Sequence, residues 1–283
     1  MFVVAGVTGH VGANAANELL NQKQKVRVIV RDARKGEAWA KRGAEVSVGS
    51  LDDKAFLTKA LTGATGVFLL VPPNFAVPDF RAYQHKLADV MVSAVKDSAV
   101  PHVVLLSSIG ADLEAGTGPI VALNYLERKL RDTRTKLTAV RAGFFMENVA
   151  MNLGVAKAQG IYPNFMDEHV AMPMVATKDI GAQIAKALVE PAAKSTVIDV
   201  TGPAYTAGQV AGVLSERLNK PVKVVNIPQQ GWLDGLLQGG LSKDVAALYV
   251  EMYTAFSKGL ARPIGDRTVH GTTRLEEVIK ALT

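Results

Sequence analysis

Short apolar runs separated by amphipathic stretches recur along most of this chain. Phe2-Val3-Val4-Ala5, Val26 to Val30, Ala44 to Val48, Gly66 to Val71, His102 to Leu106 and Leu137 to Val140 are too short for buried helices. They are rich in β-branched residues, so the pattern predicts buried strands. Between them, Ala13 to Asn21, Lys35 to Arg42, Lys54 to Leu61, Asp79 to Asp97 and Pro119 to Arg131 place apolar residues at helical spacing. In the fourth of these, Tyr83, Leu87, Val90, Met91 and Val95 share one face. Strands alternating with helices at this rhythm imply an α/β fold of Rossmann type, a doubly wound parallel sheet.

Beyond Val149 the pattern loosens. Met151 to Ala158 reads as a helix, residues 160–173 as irregular, Thr177 to Leu188 as a helix and Ser195 to Val200 as another strand of the sheet. Thr206 caps a helix from Ala207 to Leu218, Pro221 to Ile227 is a short edge strand, and the remainder is mostly helical with a break at Gly239-Gly240. The expected division is a sheet domain over residues 1–150, rejoined by 175–200. A smaller, mostly helical C-terminal subdomain, residues 151–174 and 201–283, would lie as a lid over the sheet edge.

The first turn carries the chemistry. Gly6-Val7-Thr8-Gly9-His10-Val11-Gly12 follows the first strand at once and opens the first helix. Gly6 turns the chain sharply, Gly9 lets backbone approach a pyrophosphate, and Gly12 lets the helix pack closely on the sheet. The helix N-terminus then offers unpaired N–H groups and a positive dipole end. This order is a dinucleotide-binding βαβ unit. An acidic residue ending the second strand would grip the ribose of NAD; Arg31 stands there instead, followed by Arg34 and Lys35, and favours the 2′-phosphate of NADP. Asp32, one residue late, leaves NADH open as a cofactor. Leu51 and Asp52 follow a strand at the binding edge and fall beside the adenine, while Asp52 and Asp53 also suit a helix cap.

Composition narrows the function classes. Lys plus Arg, 32, against Asp plus Glu, 26, gives a net charge of +6, without a dense basic run interleaved with aromatics. A soluble protein with an anionic cofactor fits this better than a nucleic-acid binder. With no cysteine, thiolate catalysis and cysteine-ligated metals are impossible, and His10, His85, His102, His169 and His270 show no metal-ligand spacing. No metal is therefore expected, and no separate flavin site is visible. No apolar stretch approaches the roughly 18–20 residues of a membrane span. The chain opens directly on its first strand, so the expectation is a cytoplasmic protein, as monomer or homodimer.

Several segments together carry a family likeness: Val7-Thr8-Gly9-His10-Val11-Gly12, Val28-Ile29-Val30-Arg31, Gly49-Ser50-Leu51-Asp52, Ser107-Ser108-Ile109-Gly110-Ala111, Glu127 to Leu130, and Arg141 to Asn148. On these the chain resembles the NmrA-like branch of the atypical short-chain dehydrogenases. Within that branch it looks like the bacterial NAD(P)H-dependent reductases of quinones, azo dyes and triphenylmethane dyes, the azoreductases above all. The resemblance implies that Gly6, Thr8, Gly9, His10, Val11 and Gly12 meet the pyrophosphate and adenosine, and Arg31 the 2′-phosphate. Ser50, Leu51 and Asp52 would border adenine. Val71, Pro72, Pro73, Ser107 and Ser108 would line the ribose and nicotinamide, and Ala142, Gly143 and Phe144 would shape the nicotinamide pocket.

Ordinary short-chain dehydrogenases use a Tyr-x-x-x-Lys pair, in which the lysine lowers the tyrosine pKa for proton exchange with a carbonyl. Tyr125 and Lys129 have that spacing. In the resembling reductases, however, a glutamate lies about fourteen residues before the arginine ending strand six, as Glu127 does before Arg141. The Tyr-Lys pair would then fall upstream, at Pro119 and Leu123, which cannot do the chemistry. Tyr125 and Lys129 stay as the catalytic candidates, and Tyr125 could also line the pocket. An electron-poor aromatic acceptor accepts hydride without strong acid help if held at near-attack distance. Phe75, Tyr83, Phe144, Phe145, Met146, Tyr162, Phe165 and Met172-Pro173-Met174, with Asn148, suit such a flat partner. The leading expectation is an NADPH-preferring reductase of azo- or quinone-type acceptors. The alternatives are an NADP-binding redox sensor without turnover, and an epimerase or carbonyl reductase built on Tyr125 and Lys129.

Overall fold

Alternate residues of a strand face opposite ways, and here both faces find a helical layer. The computed structural model describes residues 1–283. Its elements begin with β1 (Phe2–Val4), α1 (His10–Asn21), β2 (Val26–Val30), α2 (Glu37–Lys41), β3 (Glu45–Val48) and α3 (Lys54–Leu61). Next come β4 (Gly66–Leu69), α4 (Phe80–Ser98), β5 (His102–Ser108), α5 (Val121–Arg131) and β6 (Lys136–Ala142). Then follow β7 (Phe144–Phe145), α6 (Ala150–Gln159), β8 (Ile161–Asn164), β9 (Met172–Val175), α7 (Thr177–Val189), β10 (Thr196–Thr201) and β11 (Ala204–Tyr205). The chain closes with α8 (Ala207–Leu218), β12 (Lys223–Asn226), α9 (Trp232–Gln238), α10 (Lys243–Ser257), β13 (Arg267–His270) and α11 (Leu275–Leu282).

Eight strands form one sheet in the order β13-β10-β6-β5-β4-β1-β2-β3. Every pairing in it is parallel. Strand order reverses between β1 and β4, the place where such sheets open a crevice for ligands. Phe2, Val4, Val28, Val30 and Phe68 pack with α1 and α7, whereas Val3, Ala5, Val67, Leu69 and Leu105 pack with α3, α4 and α5. Each layer buries 23 residues, so neither face is left to solvent and the central strands read as nearly continuous apolar runs.

The region expected to be irregular, 160–173, is partly strand. β8 pairs in parallel with β12, and β9 lies between β7 and β11 in a small three-stranded sheet. The run ending at Ile227 is thus an edge strand of a separate two-stranded sheet. β13, unread in the sequence, joins the main sheet in parallel on β10. A further apolar cluster, including Met146, Leu153, Met174, Val210, Leu214 and Ile279, unites α6, α8 and α11.

Helix α10 bridges two loops at the carboxyl edge of the sheet. The Phe80 N–H donates to Asp244 Oδ2 at 2.9 Å, and Arg81 pairs with Glu251 at 3.2 Å. Gly118, at φ +57°, approaches α10 so closely that a Cβ there would meet the Leu248 carbonyl oxygen. α10 is therefore pinned both to the start of α4, beyond the β4 loop, and to the segment after β5. No helix is long and apolar enough to cross a membrane.

Candidate active site

The glycine turn after β1 has the shape a pyrophosphate needs. Gly6 sits at φ +67°, and a Cβ on Gly12 would lie 2.4 Å from the Gly6 carbonyl oxygen, so neither position tolerates a side chain. Gly9 differs. Its added Cβ would meet only the Gly6 oxygen, at an ordinary 3.6 Å, and its φ is −105°. Folding does not demand a glycine there, and its lack of a side chain leaves the backbone open to close approach. α1 starts at His10 without a side-chain cap, and Thr8, Gly9 and His10 are exposed, so the first-turn N–H groups are open to an anion. Val11 and Gly12 are buried beneath them.

The neighbouring strand ends complete the crevice. Arg31 is exposed at the end of β2. Asp32, the residue that could serve a ribose, accepts from the Arg34 N–H at 3.0 Å and pairs with the Arg34 guanidinium at 2.8 Å. Those hydrogen bonds from Arg34 hold its carboxyl below the usual range. Asp53 caps α3 through the Phe56 N–H at 3.0 Å, leaving Asp52 exposed beside half-buried Ser50 and Leu51. Beyond β4, Val71 and Pro72 are half-buried and Pro73 is exposed.

Tyr83 lies on α4, near the Arg31 and Asp52 side of the crevice. It is half-buried against the core layer of α3 and α4, and its phenol pKa is raised by burial first and then by the Asp52 charge, with Arg31 opposing. Met146 is removed from the acceptor candidates: it is 0% exposed in the core beneath α11. Phe144 and Phe145 are half-buried in β7, paired with β9, and Asn148 is half-buried after it. The Gly143 N–H donates to the Val200 carbonyl at 2.9 Å, which fixes the turn out of β6 beside Ala142.

A buried ionic network locks the ends of β5 and β6. The Ser107 hydroxyl donates to Glu127 Oε1 at 2.6 Å, and Arg141 makes two parallel hydrogen bonds to Glu127 at 2.9 and 2.8 Å. Burial works against the charge on Arg141. Glu127 outweighs it by hydrogen bonds and charge, helped by Asp112 and Asp199, and the net pKa is raised. The Ser107 hydroxyl is thus committed to Glu127. Ser108, half-buried, donates its hydroxyl to the Ile109 carbonyl at 3.0 Å.

Tyr125 and Lys129 are not brought to this crevice. Glu127 faces the strands, and Tyr125 lies about 200° round the helix from it. The Tyr125 hydroxyl donates to Asp89 on α4 at 2.7 Å, its ring stacks on His85 at 4.5 Å, and Lys129, exposed, sits 5.3 Å over the ring. The hydrogen bond to Asp89, then burial and the Asp89 charge, raise the Tyr125 pKa, the opposite of what a Tyr–Lys acid–base pair requires.

An aromatic series instead lies between the β4 loop and the C-terminal helices. Phe75 stacks on Phe80 at 5.5 Å and meets Tyr249 edge-on at 6.3 Å. Tyr249 meets Tyr253 at 6.1 Å, and Tyr253 stacks on Phe165 at 5.5 Å and abuts Trp232 at 6.1 Å. Phe165 and Trp232 also line a cavity of about 350 Å³ with Asn226 and Ile227. Phe75 and Phe165 were legible as candidates, whereas Trp232, Tyr249 and Tyr253 were not. Their one signal was the i, i+4 spacing of the two tyrosines on a helix.

Comparisons with known proteins agree with this geometry. The NmrA-like family model matches residues 1–268. NAD(P)H azoreductase of Xenophilus azovorans is 28% identical over 257 residues, covering 89% of this chain and 86% of its own. Quinone oxidoreductase 2 of Escherichia coli is 26% identical over 297 residues, covering 100% of this chain and 98% of its own. Among solved structures, the Citrobacter triphenylmethane reductase complexed with NADP(H) superposes with a TM-score of 0.83 at 20% identity, over 100% of this chain and 99% of that one, and shares the fold. A family match spanning nearly the whole length, on a Rossmann-type sheet with an intact glycine turn, places this chain in the NmrA-like family.

Proposed function

We propose that the protein is an NADPH-preferring reductase that passes hydride from the nicotinamide directly to an electron-poor aromatic acceptor of azo or quinone type. The observation that carries the reading is the pairing of a glycine turn built for close ligand approach with a free Arg31 whose neighbour Asp32 is already occupied by Arg34. The relatives named for NAD(P)H-dependent azo and quinone reduction support it.

Bound NADPH supplies the hydride. The chain's own residues bind, orient and exclude water. Gly6, Gly9 and the start of α1 hold the pyrophosphate, and Arg31 neutralises the 2′-phosphate. Val71, Pro72 and the turn at Ala142-Gly143 border the nicotinamide, with the Ser107–Glu127–Arg141 network fixing the strand ends beneath it. Phe75, with the aromatics of the C-terminal helices, stacks the acceptor so that its reacting atom sits at near-attack distance. In this arrangement residues 1–150 with 175–200 serve the cofactor, and residues 151–174 with 201–283 cover the acceptor.

The test is NADPH oxidation, followed by nicotinamide absorbance, against a quinone, an azo dye, a triphenylmethane dye and a simple ketone, with NADH in parallel. Turnover of quinone or dye but not ketone is expected, and Arg31→Asp should weaken NADPH at least tenfold (about 1.4 kcal/mol) relative to NADH. Tight NADPH binding with no turnover of any acceptor would overturn the enzyme reading in favour of a sensor.

A further inference from the structure

Three phenols converge between the β4 loop and the lid without a protein partner for any hydroxyl. Tyr249 and Tyr253 lie one turn apart on α10 with ring centroids 6.1 Å from each other. Tyr162 lies on β8, three residues before the Phe165 that stacks on Tyr253. Burial pushes the Tyr162 phenol up to about 12 and raises Tyr249 and Tyr253 as well, and no hydrogen bond contributes to any of the three. They are therefore neutral donors at every working pH.

All three side chains are half-buried and none of their hydroxyls is sealed from solvent, so each is free to donate to a molecule that enters beside the rings. A ligand that displaces water there must offer these donors an acceptor or leave them unpaired. The rings around them define its shape. Tyr253 is stacked on Phe165 with planes only 10° apart and abuts Trp232, while Phe75 reaches Tyr249 from the loop that leaves β4. α10 is itself pinned across the β4 and β5 loops by Asp244, Glu251 and Leu248. Tyr249 thus sits beside the loop that leaves β4, at the carboxyl edge of the sheet, with Tyr253 one turn further along α10.

We infer that Tyr162, Tyr249 and Tyr253 form the hydrogen-bond-donating wall of the acceptor pocket and select flat aromatic ligands that carry oxygen lone pairs. The inference rests on the reductase reading for the identity of the pocket. It adds the residues that discriminate among acceptors: a carbonyl- or hydroxyl-bearing ring satisfies these donors, and a hydrocarbon ring leaves them unpaired.

The experiment uses the NADP⁺-loaded protein in a Trp39→Phe background, so that Trp232, in contact with Tyr253, is the sole tryptophan reporter. 1,4-Naphthalenediol and naphthalene are titrated against this protein and against Tyr162→Phe, Tyr249→Phe, Tyr253→Phe and the triple variant. In the same variants, quinone and triphenylmethane dye reduction is measured. Each lost hydroxyl is expected to weaken the diol by about two- to tenfold while leaving naphthalene unchanged. The quinone KM should rise in step with kcat little altered, and the dye should respond less. Melting temperatures should hold, since no protein hydrogen bond is removed. Diol binding that is equal in parent and triple variant, or absent from the parent, overturns the inference. If turnover persists in that case, the reductase reading survives alone. Tyrosine-dependent diol binding without NADPH oxidation would instead sink the reductase reading and retain the site.

Discussion

Replacing Glu127 by glutamine asks what the buried ionic network contributes. Glu127 and Arg141 are 2% and 7% exposed, and the carboxylate accepts from Ser107 and twice from Arg141. The amide keeps the shape, loses the charge, and turns one acceptor into a donor aimed at Arg141 or Ser107. Stranding one partner of a buried pair costs about 3–5 kcal/mol. Asp112, whose Oδ1 lies 3.8 Å from the Arg141 guanidinium, and nearby Asp199 compensate part of the stranded charge, so the low end applies. A loss of about 3 kcal/mol corresponds to roughly 6–12 °C in Tm for a chain of this size. Urea unfolding gives the free energy by linear extrapolation. The cycle of Glu127→Met, Arg141→Met and the double variant completes the test: the double removes both desolvation costs and should recover most of the loss seen in the singles, giving a coupling energy of about 2 kcal/mol or more. The KM for NADPH should also rise in Glu127→Gln, because the β5 end loses the anchor of Ser107. A stability loss below about 1 kcal/mol with unchanged KM would refute the role given to this network.

Gly9→Ala should fold with wild-type stability and bind NADPH at least tenfold more weakly (about 1.4 kcal/mol) by calorimetry, whereas Gly12→Ala, facing backbone at 2.4 Å, should lose about 1–3 kcal/mol in unfolding as well. Tyr125→Phe should leave kcat/KM for quinones and dyes within about twofold of wild type, since the phenol is turned toward Asp89; a fall of a hundredfold or more, on the scale of a lost general acid, would return it to the active site. His102 is buried with its pKa pushed down to about 4, first by burial and then by Lys136. The unfolded chain binds this proton near pH 6.5 and the folded one only near 4, so stability present above pH 6.5 falls by about 3 kcal/mol as pH drops through that window. Urea midpoints between pH 7 and 4 should show this slope, and His102→Leu should lack it.

The parts of the fold that were legible are those where local pattern and tertiary fate agree. Val26, Val28, Ile29 and Val30 are apolar because both faces of β2 are covered, and the glycines are spaced as the turn requires. β8, β9 and β13 were unreadable for physical reasons. Ile161–Asn164 and Met172–Val175 each contain a proline, and Arg267–His270 is mostly exposed, so only their partners make them strands. The Tyr125–Lys129 spacing was visible, but its direction depended on Glu127 turning inward to Arg141. Tyr83 was readable on the apolar face of its helix, and its nearness to Asp52 and Arg31 came only with the packing of α4. Tyr249 and Tyr253 were hidden because two tyrosines a turn apart look like any amphipathic helix until their hydroxyls prove unpaired.

The strand order β13-β10-β6 bears on the birth of the chain. When the first 142 residues have left the ribosome, β6 is an open edge, with Thr138, Ala139 and Val140 bare of the neighbour that later covers them. That neighbour, Thr196–Thr201, emerges only after β7, α6, β8, β9 and α7, and β13 comes later still. During this interval the nascent sheet offers unpaired backbone to any passing strand. Chaperone dependence and aggregation on overexpression should therefore concentrate in the delay between β6 and β10, and slowing synthesis within residues 143–195 should lower the soluble yield more than slowing it near the start.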